Sequence, residues 1–75
     1  MKTNNNNYNE LCKKLEKIRG AAVYENDEEQ YVELAMITDD NINKAISIIT
    51  EYGYEVTEQY LSNGSDYDSY CIWFV

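Results

Sequence analysis

Two amphipathic stripes in this chain each run into a glycine, and each glycine opens the same short spacing, Gly20-x-x-Val23-x-Glu25 and Gly53-x-x-Val56-x-Glu58. A glycine just past an apolar helical stripe is a stop signal, because it accepts the left-handed backbone that ends a helix. Helix, stop and extended segment therefore occur twice, a weak repeat that gives the two halves the same order of elements. With 75 residues, both halves must share one small core, since a chain of this length buries too little surface for two.

In the first half, Tyr8, Leu11, Leu15 and Ile18 recur at intervals of three and four with Lys13, Lys14, Glu16 and Lys17 between them, which predicts one buried helical face. Residues 1–7, with Asn4, Asn5, Asn6 and Asn7 in a row, have nothing apolar to bury. They read as a flexible leader whose end caps the helix, leaving residues 8–75 as a single domain. Ala21 to Asn26 is extended in character, Asn26 to Glu29 is a charged turn, and Gln30 to Thr38 is a stronger strand carrying Tyr31, Val32, Leu34 and Ile37. In the second half, Thr38 supplies a helix cap and Asp39 and Asp40 place negative charge in the first turn. Ile42, Ala45, Ile46, Ile49 and Tyr52 then follow at helical spacing. Tyr54 to Ser62 and Tyr67 to Val75 flank Asn63-Gly64, a strong hairpin signal.

The predicted order is α-β-β-α-β-β, an α+β two-layer sandwich with two helices on one face of a four-stranded antiparallel sheet. That order resembles the ferredoxin-like β-α-β-β-α-β arrangement cut before its first helix and closed by a hairpin, a permuted ferredoxin-like topology. It implies that the second and fourth strands are central and the first and third are edges. Tyr54 to Ser62 carries Glu55, Glu58 and Gln59, as an edge that resists aggregation should.

Two helices cover one face of such a sheet, so the other should be polar in a monomer. The last strand does not allow this. Cys71, Trp73 and Val75 point one way and Tyr70, Ile72 and Phe74 the other, and either choice leaves an apolar set outside. The second strand is similar, with Val32, Leu34 and Met36 opposed to Tyr31, Ala35 and Ile37. Tyr31, Ile37, Tyr70, Ile72 and Phe74 are the candidate contact face, for a second copy of the chain or another partner, unless the N-terminal segment or a curled edge covers it.

Charge is divided as sharply as hydropathy. Of the 14 acidic and 6 basic side chains, the segment before Gly20 holds five bases (Lys2, Lys13, Lys14, Lys17, Arg19) against Glu10 and Glu16, while the remainder holds Lys44 alone against twelve acids. An acidic body repels phosphate, so direct nucleic-acid binding and docking on an anionic membrane are excluded as functions. The same field attracts a basic partner. Glu25, Asp27, Glu28 and Glu29 at the first hairpin and Glu55, Glu58, Asp66 and Asp68 around the second, interspersed with Tyr24, Tyr60 and Tyr67, are the candidate partner-binding residues. Carboxylates spaced along a rigid surface can imitate a phosphate backbone; the competing reading is that they serve solubility alone.

Catalytic chemistry is poorly provided for. There is no His to activate Cys12 or Cys71, no glycine-rich phosphate loop, and no room for a sheltered carboxyl pair. Asp66-x-Asp68 lacks the glycine and distal Glu of a calcium loop, so no metal and no cofactor is expected. No apolar run of signal-peptide or membrane-spanning length occurs, which points to a cytoplasmic protein, with reduced thiols, of a bacterial host cell. The leading expectation is a non-enzymatic inhibitor of a basic, nucleic-acid-handling protein or nuclease. In its properties the chain resembles the small acidic phage-encoded antagonists of bacterial defence, anti-CRISPR proteins among them, which implies nucleic-acid mimicry. The alternative is a homo-oligomeric regulatory or ligand-sensing module, a homodimer joined through the apolar sheet face.

Overall fold

A computed structural model describes residues 5–25, 29–64 and 66–75. It shows α1 (Asn5–Glu16), β1 (Ala21–Glu25), β2 (Gln30–Leu34), α2 (Asp39–Glu51), β3 (Val56–Asn63) and β4 (Asp68–Phe74). The strands form one antiparallel sheet in the order β1-β2-β4-β3, so β2 and β4 are central and β1 and β3 are edges, as the permuted ferredoxin-like topology requires.

Helix α1 begins at Asn5, ahead of the apolar stripe that starts at Tyr8; the earlier part of the predicted leader lies outside the described residues. Asn7 donates through Nδ2 to the Tyr52 carbonyl at 3.3 Å, tying the start of α1 to the end of α2. Helix α2 opens as its sequence demands, with the Thr38 hydroxyl accepting from the Asn41 amide at 3.1 Å and Asp39 and Asp40 in the first turn. It closes at Gly53 (φ 86°), where the Tyr54 amide donates to the Ile49 carbonyl and the Gly53 amide to the Thr50 carbonyl. This paired arrangement needs a left-handed residue at Gly53.

Both helices lie on one face of the sheet. Leu11, Leu15 and Ile18 from α1 and Ala45 and Ile49 from α2 meet Val32, Leu34, Ile72 and Phe74 in one buried cluster. Beside it, Tyr54 meets Phe74 edge-on at 5.7 Å and Tyr8 at 6.1 Å.

Strands β3 and β4 differ from the sequence expectation by one or two residues at their ends, and the larger differences are at the end of β2 and in the second hairpin. Strand β2 ends at Leu34 instead of running to Thr38. Its edge partner starts at Ala21 and its central partner is matched only as far as Tyr70, so beyond Ala35, whose amide reaches the Gly20 carbonyl, the chain has no ladder and turns to deliver Thr38 to its capping position. The second hairpin pairs Asn63 with Asp68, so its connection runs over residues 64–67 and is longer than an Asn-Gly two-residue turn. Gly64 is not left-handed. It is needed there because a Cβ would lie 2.5 Å from the Tyr67 carbonyl oxygen.

Candidate functional site

The register decides which parity of each central strand meets the helices. Val32 pairs with Ile72 and Gln30 with Phe74, and all four are buried under the helices. Glu33 pairs with Cys71 and Tyr31 with Trp73, which puts these four on the open face. The candidate contact set is corrected accordingly. Ile72 and Phe74 are core residues with no exposure. Tyr70 is on the helix-covered side, half-buried, and its hydroxyl donates to Gln59 Oε1 at 3.1 Å. Ile37 lies past the end of β2 and off the sheet, so of the five only Tyr31 belongs to the open face. Trp73, Cys71, Ser69 and Glu33 occupy that face instead. The signal that could have found them is the charge at Glu33, which marks the outer parity of β2 and, through register, of β4.

On β3 the open-face positions are set by a bulge. Val56 faces Phe74 and Glu58 faces Trp73, so Thr57 is the extra residue, and everything after it changes side. Without it Glu58 and Tyr60 would share the core side with Val56; with it they stand on the open face.

Three rings cross the sheet in a row. Tyr24 and Tyr31 stack with centroids 5.3 Å apart and Tyr31 and Trp73 at 4.5 Å, with interplanar angles of 28° and 26°. These separations match the roughly 4.7–4.9 Å between neighbouring strands. Rings so close and so nearly parallel face one another, stand up from the sheet and turn their edges to solvent. The row continues toward β3 through Trp73 Nε1, which donates to the Tyr60 hydroxyl at 3.2 Å. Beside it, the Ser69 hydroxyl donates to Glu33 Oε2 at 2.9 Å. These contacts cover Cys71, which is only 4% exposed. Its thiol is pushed up by burial first and by the Glu33 charge second, against hydrogen bonds from Ser69 and Tyr60. The Tyr31 hydroxyl is also raised, by burial and then by Glu33.

The candidate acidic residues do not form one patch. Glu25 and Glu29 are exposed at one end of the sheet, and Asp27 and Glu28 lie outside the described residues. Glu25 is matched with Gln30, on the helix side, and meets the Tyr8 hydroxyl. Glu55 is exposed at the same end but on the opposite edge, where its backbone pairs with Val75. Asp66, Tyr67 and Asp68 are exposed at the other end of the sheet, about 20 Å away at the rise of an extended strand. Tyr24, Tyr60 and Glu58 lie between, on the open face. Tyr24, Tyr60 and Tyr67 are 46%, 40% and 61% exposed, so all three candidate tyrosines are accessible.

Basic residues are kept off the sheet, although the helices carry acids too (Glu10, Glu16, Asp39, Asp40 and Glu51). Residues 20–38 and 53–75, which hold all four strands, contain no Lys or Arg; the described bases sit on α1, on the turn after it, and on α2 as Lys44. The one ion pair among the described residues joins Lys44 to Asp40 at 3.3 Å on the exposed surface of α2, and Lys14 lies 5.5 Å from the centre of the Tyr52 ring. Among the described residues no three His, Cys, Asp or Glu side chains gather as a metal site, and no helix is long and apolar enough to cross a membrane. Comparison with protein-family models, curated proteins and solved structures finds no match.

Proposed function

We propose that this protein is a non-enzymatic binding protein that inhibits a basic, nucleic-acid-handling partner by offering it an acidic, aromatic sheet in place of nucleic acid. The observation that carries the reading is the absence of bases from the sheet: the strands and their hairpins present carboxylates and tyrosines with no basic residue among them. A surface of one sign steers an oppositely charged partner and speeds association at low salt. The ring geometry supports the same direction. Rings standing on edge give no flat platform for bases to stack on, unlike the sheets that bind single-stranded RNA, so the aromatic row suits protein contact. An anti-defence role, in which the target is a nuclease of the bacterial host, fits this chemistry.

The test is capture of the tagged protein's partner from bacterial lysate, with and without nuclease, followed by salt elution. A single basic nucleic-acid-binding protein that survives nuclease and leaves with salt is the expected result. Replacing Glu25, Asp27, Glu28 and Glu29 together by Gln should then weaken binding to that protein strongly with the fold intact. Unchanged affinity removes the first hairpin from the contact.

The exposed tyrosines of the open face favour a second reading, self-association through that face as a regulatory module. Light scattering at micromolar concentration in low and high salt separates the two, since a dimer held by this face has to overcome the repulsion of two like-charged chains and should strengthen as salt is added.

A further inference from the structure

The second hairpin holds chemistry that the binding reading does not use. Asn63-Gly64 is the only Asn-Gly pair in the chain, and both residues are exposed at the turn end of β3. A backbone amide that follows asparagine can attack the side-chain carboxamide. Glycine hinders this least, because it has no Cβ beside the nitrogen and turns freely into the conformation that closes the ring. The other described asparagines lie within α1 or α2, and each is followed by a residue with a side chain. Glycine is also what the fold requires at 64, since a Cβ there would lie 2.5 Å from the Tyr67 carbonyl oxygen. The close approach that shapes this turn therefore commits the chain to a labile dipeptide.

The same approach restrains it. The Gly64 amide donates to the Tyr67 carbonyl at 3.0 Å, so the attacking nitrogen has to give up that bond before it can lose its proton. Asn63 is the last residue of β3, matched with Asp68, and the extended backbone of a ladder is not the one in which a succinimide closes. We propose that Asn63 is a self-modification site held in check by the Gly64–Tyr67 hydrogen bond: when this end of the hairpin opens, the Gly64 amide converts Asn63 to aspartate or isoaspartate, and the new carboxylate opposite Asp68 loosens the end further. The step needs only water. Hydroxide removes the Gly64 amide proton, the nitrogen bonds to Asn63 Cγ, and the Cγ–Nδ2 bond breaks as Nδ2 takes a proton from water and leaves as ammonia. Water then opens the succinimide at either carbonyl, giving aspartate or isoaspartate, so that in sum one water enters and one ammonia leaves. Aspartate at 63 sets like charges directly opposite across the ladder, which is destabilising. Isoaspartate also adds a carbon to the backbone, which shifts the pairing beyond it.

The experiment follows conversion at Asn63 by peptide mass spectrometry in the full chain, folded at neutral pH and unfolded in concentrated urea, and measures exchange of the Gly64 amide in the isotope-labelled folded chain. Conversion should be evident in urea and at least about tenfold slower in the folded chain, where it waits on local opening. The Gly64 amide should be protected from exchange, and by no more than the factor by which conversion is slowed, because both need the same hydrogen bond to break. In Asn63→Asp the Gly64 amide should exchange about twofold to fivefold faster, a gain that shrinks as salt screens the two carboxylates. Asn63→Gln, neutral and with a side chain too long for the succinimide, should yield no product at 63 and leave Gly64 as protected as in the unaltered chain. No conversion in urea overturns the site. Equal rates with and without urea overturn its restraint by the fold, and an unprotected Gly64 amide overturns the hydrogen bond as the source of that restraint. Gly64 exchange that is the same in Asn63→Asp and Asn63→Gln overturns the loosening by charge.

Discussion

The two faces of this sheet are built from the same strands, alternating residue by residue, and they solve burial in different ways. On the covered face, Val32, Leu34, Ile72 and Phe74 are closed off by two helices, and the one polar intruder, Gln30, is buried with its Nε2 on the Phe74 carbonyl and its Oε1 unmatched. On the open face, Tyr31, Trp73 and Cys71 have no layer above them among the described residues. They are sheltered by each other, by ring stacking and by the Ser69–Glu33 hydrogen bond. Side chains on such a face can thus make it partly self-covering, and what they leave exposed lies toward the edges, at Tyr24 and Tyr60.

The sharpest way to break that comparison is to truncate neighbouring residues of β4. Phe74→Ala removes a fully buried ring and should cost about 3–5 kcal/mol, much of the stability of a domain this size. Trp73→Ala removes a larger side chain that keeps part of its surface in water, and should cost roughly half as much. Urea midpoints of the two variants measure this directly. Equal losses would mean that the open face is a second core.

Alkaline pH probes both faces together. Tyr8 and Tyr54 on the covered side are raised by burial, Tyr8 further by Cys12 and Glu25, and Tyr31 and Cys71 on the open side are raised as well. A folded-state pKa above the unfolded value means that the unfolded chain loses its proton first. Stability is therefore complete below the ordinary thiol and phenol values, about 8.5 and 10, and falls as pH rises through the folded values. Unfolding monitored from pH 8 upward should show a plateau and then a decline, with tyrosinate absorbance lagging behind that of free tyrosine until the fold gives way. A flat profile through pH 11 would show that neither face shelters its hydroxyls.

Helices and strands were legible because each depends on local pattern: apolar spacing, a Thr cap, two glycine stops; the central place of β2 and β4 followed from the resemblance of their order to the ferredoxin-like arrangement. The site was less legible because parity and register are not local. Nothing within Tyr70–Val75 says which half of six apolar residues goes inside; the answer comes from Glu33 across the ladder. Nor does the sequence mark Thr57 as a bulge, although this single residue moves Glu58 and Tyr60 to the open face. The hairpin signal at Asn63-Gly64 placed a turn correctly and misjudged its form, since Gly64 answers a close approach by Tyr67 instead of a left-handed backbone.

A smaller effect tests whether the open face is held by its polar contact as well as by its rings. Ser69→Ala leaves the half-buried Glu33 without its donor; a hydrogen bond is worth about 0.5–1.5 kcal/mol net, and a charged acceptor sets this one at the top of that range or above. The loss should appear as a lower urea midpoint with an unchanged slope, because the covered face is untouched.

The smallest change distinguishes charge from hydrogen bonding at the same spot. Glu33→Gln keeps an oxygen for the Ser69 hydroxyl and removes the charge that helps raise the Cys71 thiol. Stability should shift by less than in Ser69→Ala, while the thiol should titrate lower than in the unaltered chain. Burial, the larger cause, is still in place, so the thiol should not return to the ordinary value. Ultraviolet thiolate titration of a Cys12→Ala background reads Cys71 alone. An unmoved thiol would assign its shift to burial entirely, and Glu33 would then serve the open face only as an acceptor.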